Sequence, residues 1–154
     1  MSIQIEGNVV AAHEVLAQLE EWDSALVGNN VDALIEKCAQ NVSMFDVSTQ
    51  LEGAEAYRKE WQKFSPYFFD GMQITRRDVK VHASDHLVVL HCHSKVEHKA
   101  LKGQLQMPWC RTTLCLQKTN EQWVMVHQHI SMPVDLATGK AIILKDKSKL
   151  RLVV

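Results

Sequence analysis

The sequence predicts an α+β domain. It reads as a cone, with three N-terminal helices packed on a strongly curved antiparallel sheet in the order ααβαββββ. Three observations predict it. Up to Pro66, apolar residues recur at helical spacing. After Pro66 the period changes to two. The chain has 154 residues, 46% of them hydrophobic and 23% charged, which is enough for one core without disulfide or metal staples.

The elements follow in order. Leu16, Leu19, Trp22 and Leu26 stand three and four apart, so they share one face of a first helix. Asn8 is its expected N-cap and Gly28 its stop. A second helix is expected over residues 31–39, capped by Asn30, with Leu34, Ile35 and Cys38 as its apolar stripe. Residues 42–47 (VSMFDV) have strand composition. A third helix opens at Gly53, lines up Ala54, Tyr57, Trp61 and Phe64, and ends at Pro66. Strands are then expected over 72–82, 87–97, 109–118 and 123–131, with hairpin turns at 83–85 and 119–122. Residues 1–133 form the domain in this reading. Residues 134–154 are an extension whose apolar clusters dock on the domain or on a partner subunit.

Composition excludes several classes. Seventeen basic against eighteen acidic residues supply no basic field, so nucleic acid is not an expected partner. No apolar run is long enough to span a bilayer, so no membrane is expected either. The opening MSIQIEGNVVAAHE carries an acid where a secretory signal carries bases, and a cytoplasmic location is expected. Four cysteines without CxxC spacing read as reduced, buried thiols. No phosphate loop, dinucleotide fingerprint or activated nucleophile is present in the sequence, and no cofactor is expected.

The stretch from Arg111 to Pro133 resembles the last hairpin of the SnoaL-like domains, in the nuclear transport factor 2-like superfamily. It has the Arg-x-Thr opening, Trp123 after the turn and the ending His127-x-His129-x-Ser131-x-Pro133. Trp22 with residues 28–34, Phe45-Asp46 and LeuGluGlyAlaGluAlaTyr at 51–57 resemble the family's earlier elements. The resemblance implies a pocket for a small molecule. It also implies a scaffold shared by isomerases, cyclases, dehydratases, transport factors and kinase association domains, so function is argued from the site.

By the resemblance, Asp46 falls where ketosteroid isomerases keep their proton-shuttling carboxylate, in apolar company that would make it a better base. The isomerase pattern is broken where a Tyr donor and a second acid are expected, at Trp22 and Thr113. Arg111 opens an apolar strand and is expected either to clamp the carboxylate of an organic acid or to pair with a structural acid such as Asp46. His127 and His129 are expected to share a strand face with Trp123 and Met125, and His91 and His93 to share another. They are candidates for polarising a substrate, for a metal or for plain hydrogen bonding, and no metal is assigned. Asp46, Arg111 and His129 form the expected catalytic set; Trp22, Trp61, Trp109, Thr113 and His127 form the expected pocket lining. Phe68, Phe69 and Met107 are further candidates for the cavity mouth, whereas Tyr57 and Phe64 read as core. Arg76 and Arg77 read as a solvated sheet edge.

The expected function is a pocket protein acting by proton transfer on a small organic substrate. The alternative is a non-catalytic ligand-binding or oligomerisation module. A homodimer is expected, because helices on one side leave the other sheet face to be covered.

Overall fold

The computed structural model describes residues 2–67, 71–98 and 108–144. In chain order the elements are β1 (Ile3–Gly7), α1 (Val9–Val27), α2 (Val31–Glu36), β2 (Cys38–Phe45), β3 (Gln50–Glu52), α3 (Ala54–Phe64), β4 (Met72–Ala83), β5 (Leu87–His98), β6 (Cys110–Thr119) and β7 (Gln122–Ser131). The calls on Phe68, Phe69, Met107 and residues 145–154 lie outside the described residues.

Local chemistry sets the helices. The Asn8 side chain accepts the Ala11 N–H at 3.0 Å and starts α1. The Gly28 N–H closes onto the Ser24 carbonyl at 2.9 Å and ends it. Ala12, Val15, Leu19 and Trp22 form its buried stripe. Asn30 caps α2 by accepting from Ala33 N–H at 3.2 Å. Gly53, at a φ of 91°, opens α3, which buries Ala54, Tyr57 and Trp61.

The strands form one open seven-stranded sheet in the order β1-β4-β5-β6-β7-β2-β3. The four-strand meander from β4 to β7 is antiparallel, as expected. Three expectations need correction. The sheet is mixed, because β1 pairs parallel to β4 and β2 pairs parallel to β7. Two short strands, β1 and β3, precede the meander unannounced, since five and three residues carry too little periodicity to read. The second helix stops at Glu36, and β2 begins at Cys38 rather than 42 and ends at Phe45.

All three helices contribute to one core with the inner sheet face. Its fully buried side chains include Val15, Leu34, Met44, Val79, Val81, Leu90 and Leu114. Burying each such side chain contributes about 1.5–3 kcal/mol. Past the meander, residues 133–144 turn back. Asp135 Oδ1 accepts from Ala137 and Thr138 N–H, Val134 bridges Ala141, and Leu144 bridges Trp109.

Two register slips position everything that follows. One lies between Arg77 and Lys80 in β4, where Asp78 takes a φ of 54°. The other lies opposite the Cys115–Leu116 step, where Val126 of β7 is the extra residue. An extra residue in a strand moves all later side chains to the opposite face.

Candidate functional site

Counting inward-facing positions from the slips defines the wall that the helices face. One rung runs Leu90, Leu114, Gln128 and Met44; the next runs Cys92, Thr112 and Ile130; the next runs Arg76, Ser94 and Cys110. The first rung is apolar except for the buried Gln128, and the other two are polar. The wall therefore changes from core to candidate site along the strands.

Its central feature is an ion pair that the sequence reading placed elsewhere. Arg76 is no solvated edge residue. Its Nε donates to Asp23 Oδ2 at 2.8 Å, its Nη2 to Asp23 Oδ1 at 2.6 Å, and its Nη1 to Cys92 Sγ at 3.5 Å. The Arg76 side chain is only 10% exposed and that of Asp23 21%. Burial works against the guanidinium charge, but the two Asp23 bonds outweigh it and hold Arg76 above its ordinary range. Beside the pair, Ser94 Oγ and Thr112 Oγ1 share a hydrogen bond of 2.6 Å. The signal for Asp23 was present, since it stands four residues after Leu19 on the buried stripe of α1.

Asp46 stands just past the end of β2 in a turn in which its N–H donates to the Thr49 carbonyl at 2.8 Å. Its Oδ1 accepts from Val47 N–H at 2.7 Å, leaving the second oxygen for other donors. Its charge reaches two groups of the wall. The Tyr57 hydroxyl is pushed up by burial first, and then by Cys38 and Asp46. The Cys110 thiol is pushed up by burial and by Asp46. Tyr57 therefore stays a phenol and can only donate or accept a hydrogen bond. Its ring stacks on Trp22 at 6.0 Å. Trp61 is anchored by donating Nε1–H to Asn29 Oδ1 at 3.0 Å. Trp22, Tyr57 and Trp61 thus belong to the inner side, and Tyr57 bears on the site although the sequence reading assigned it to plain core.

The other expected residues stand on the outer face. Arg111 is exposed, and its Nε donates to Ser131 Oγ at 3.2 Å. Thr113 pairs with His129, both outward. His127 points outward with its Nδ1 at 2.7 Å from Ser43 Oγ. The expectation that His127 and His129 share a face with Trp123 and Met125 fails because Val126 is the extra residue between them. Trp109 lies on the outer face too, under the Arg77 guanidinium at 4.2 Å and the Lys95 ammonium at 4.9 Å. Asp46, Arg111 and His129 are therefore not brought together.

Between α1 and the sheet lies a small gap lined by Val15, Leu19, Trp22, Leu90, Leu114 and Met125 among others. It holds about 10 Å³, room for at most one water. No group of three His, Cys, Asp or Glu side chains among the described residues is disposed to hold a metal. The two His-x-His pairs lie on β5 and β7 with β6 between them. Two strand spacings, about 10 Å, separate them, whereas ligands of one zinc lie about 2 Å from it. No helix among the described residues is long and apolar enough to cross a membrane.

Comparison with known proteins agrees with this architecture. A solved nuclear transport factor 2-like protein of unknown function from Pseudomonas putida superposes with a TM-score of 0.78 at 26% identity, over 91% of this chain and 100% of that one. A structure from Novosphingobium aromaticivorans, named as a candidate scytalone dehydratase, superposes with a TM-score of 0.70 at 14% identity, over 92% and 97% of the two chains. One from Shewanella frigidimarina, named as a candidate ketosteroid isomerase, gives 0.64 at 17% identity, over 83% and 99%. No functionally curated protein matches the sequence. Residues 15–135 match the SnoaL-like domain family, and with the fold in agreement the chain belongs to that family.

Proposed function

We propose that this protein binds a small organic molecule against its inner wall and acts on it by proton transfer, in the manner of an isomerase or dehydratase. The observation that carries the reading is the division of labour among the inner carboxylates. Asp23 is locked in the Arg76 fork and stays ionised as part of a neutral pair. Asp46 keeps one oxygen clear of its turn and sits within electrostatic reach of a permanently protonated Tyr57. A carboxylate that takes a proton, beside a phenol that donates to the oxyanion left behind, is the minimum for enolisation or elimination. Asp46 is the base in this reading and Tyr57 the donor. Trp22 and Trp61 shape the apolar side, and Ser94 with Thr112 hold a polar substituent. Arg111, His129, Thr113, His127 and Trp109 have no part in it, so an organic-acid ligand loses its expected clamp. The relatives named for dehydration and steroid isomerisation support the reaction type. The outer sheet face serves as the homodimer surface.

The test is hydrogen exchange. Small ketones and β-hydroxy ketones are incubated with the protein in D2O, and deuterium at the carbon next to the carbonyl is followed by proton NMR. Exchange above the buffer rate is expected, falling about 100-fold or more in Asp46→Asn. No exchange with any probe between pH 6 and 8 would overturn the reading. The second reading, a non-catalytic binding or oligomerisation module, is favoured by the small size of the gap beside α1. Quenching of tryptophan fluorescence by the same probes without exchange would select it.

A further inference from the structure

The outer sheet face has a chemistry of its own. One rung runs Lys80, His91, Thr113, His129 and Phe45 across β4, β5, β6, β7 and β2. A second runs His82, Val89, Cys115, His127 and Ser43, with Glu52 of β3 beyond Ser43. A third runs Arg77, His93, Arg111 and Ser131. Five of the eight histidines therefore stand on one face.

Most charges on this face are answered within it. Lys80 pairs with Glu6 at 3.1 Å, Lys95 with Glu97 at 3.1 Å, and Arg77 lies 3.8 Å from Asp78. His82 has Glu6 at 3.4 Å, and His93 has Asp78 at 3.4 Å. His91, His127 and His129 have no such carboxylate among the described residues. His91 stacks on His82 at 5.7 Å and stands between Lys80 and Thr113. His127 and His129 both meet the edge of Phe45, at 4.9 and 5.5 Å, with Arg111 one rung away. Thus the groups beside these three rings are neutral or cationic.

With the imidazoles neutral, the face is close to electroneutral. An acidic partner would find little to match beyond Arg111. A second copy of the face, meeting it about a two-fold axis, meets no net repulsion. Once protonated, three imidazolium groups per subunit, six per dimer, would be pressed together without counter-charges. We propose that the outer sheet face joins two copies of this chain at neutral pH and that protonation of His91, His127 and His129 separates them. The inference rests on the homodimer reading above and adds its regulation. The sign follows from proton linkage. Separation takes up protons, so association is complete above the range where imidazoles ordinarily titrate, near pH 6.5, and is lost as pH falls through it.

Sedimentation velocity of the full chain at pH 7.5 and 5.5 tests it, with circular dichroism at both values to show that the fold persists. A dimer is expected at pH 7.5, with a dissociation constant about 100-fold or more weaker at pH 5.5. In the variant combining His91→Gln, His127→Gln and His129→Gln, the constant should no longer change with pH. A wild-type dimer equally tight at both values overturns the switch and leaves the dimer standing. A monomer at pH 7.5 overturns the dimer reading and the switch together, and capture by poly-glutamate at pH 5.5 would then assign the face to an acidic partner. A triple variant with the wild-type pH dependence overturns the assignment to these rings. Should that variant fail to fold, the ring proton NMR titrations of the wild-type histidines decide. Midpoints that rise on dilution support the switch, and midpoints independent of concentration overturn it.

Discussion

Asp23→Asn leaves the Arg76 guanidinium buried without its counter-charge. Breaking a buried pair from one side typically costs about 3–5 kcal/mol. Asp23 is 21% exposed and Arg76 10%, so water reaches the carboxylate end and about 2–3 kcal/mol is the better figure here. Set against a total stability of about 5–15 kcal/mol, that is a large fraction. For a chain of this size it lowers Tm by about 5–10 °C. Urea unfolding followed by tryptophan fluorescence reads it as a lower midpoint at unchanged slope. The double variant Asp23→Leu with Arg76→Met removes both charges and restores apolar contact. It should lie within about 1 kcal/mol of the wild type, giving a coupling energy near 2 kcal/mol. Single variants costing less than about 0.5 kcal/mol, or a double costing the sum of the singles, would refute the argument. The double variant also separates roles, because it keeps the fold while stripping the polar wall. Loss of proton exchange in a stable double variant would tie the pair to chemistry rather than to folding.

Other expectations are simpler. Arg111→Ala should change stability by less than about 0.5 kcal/mol and leave proton exchange intact, because its side chain is exposed on the outer face; a loss of exchange would return it to the site. Leu90→Ala should cost about 2–5 kcal/mol in urea, since Leu90 is fully buried in the core. Burial raises the Glu97 carboxyl, but bonds from Lys95, Thr75 and Gln73 outweigh it and hold the group below 4.5. Its contribution is therefore present above pH 4.5 and lost as pH falls below that value; Glu97→Gln should flatten this acid limb, and an unchanged limb would count against the bonds. Burial pushes the Cys38 thiol up to about 12, so a thiol reagent at pH 8 should label it only as fast as the chain opens, and rapid labelling of Cys38 would contradict its burial.

The long elements were legible and the faces of two strands were not. Asn8, Gly28, Asn30 and Pro66 punctuate the helices as their side-chain chemistry demands, and the two-residue period marks all four meander strands. The site failed at the slips. In β4, Met72, Ile74 and Arg76 face inward before the slip, and Val79 and Val81 after it. The switch from even to odd apolar positions was in the sequence, and it is the mark of one extra residue. Read without it, Arg76 falls among solvated charges. In β7 the same error carries His127 and His129 to the wrong side, because nothing in TrpValMetValHis distinguishes the extra Val126. Asp23 was missed for a different reason. An acid beside Trp22 reads as solvated until its partner, 53 residues away, is known.

The sheet is open, and both of its margins are finished with very little strand. β1 has five residues and ends at Gly7, at a φ of 92°, where any side chain would strike the Ala83 carbonyl. β3 has three residues. The strands just inside them, β4 with twelve residues and β2 with eight, are the ones whose bare flanks could recruit foreign chains. A free backbone flank is a template for pairing, and a long one is a template for fibres. The seven N-terminal residues therefore act as a selvedge. Trimming them, or replacing Gly7 with any residue bearing a side chain, would lay bare the parallel-paired flank of β4 from Val79 to Ala83. The cost would be seen first as loss of solubility, in a protein whose core and inner wall remain whole.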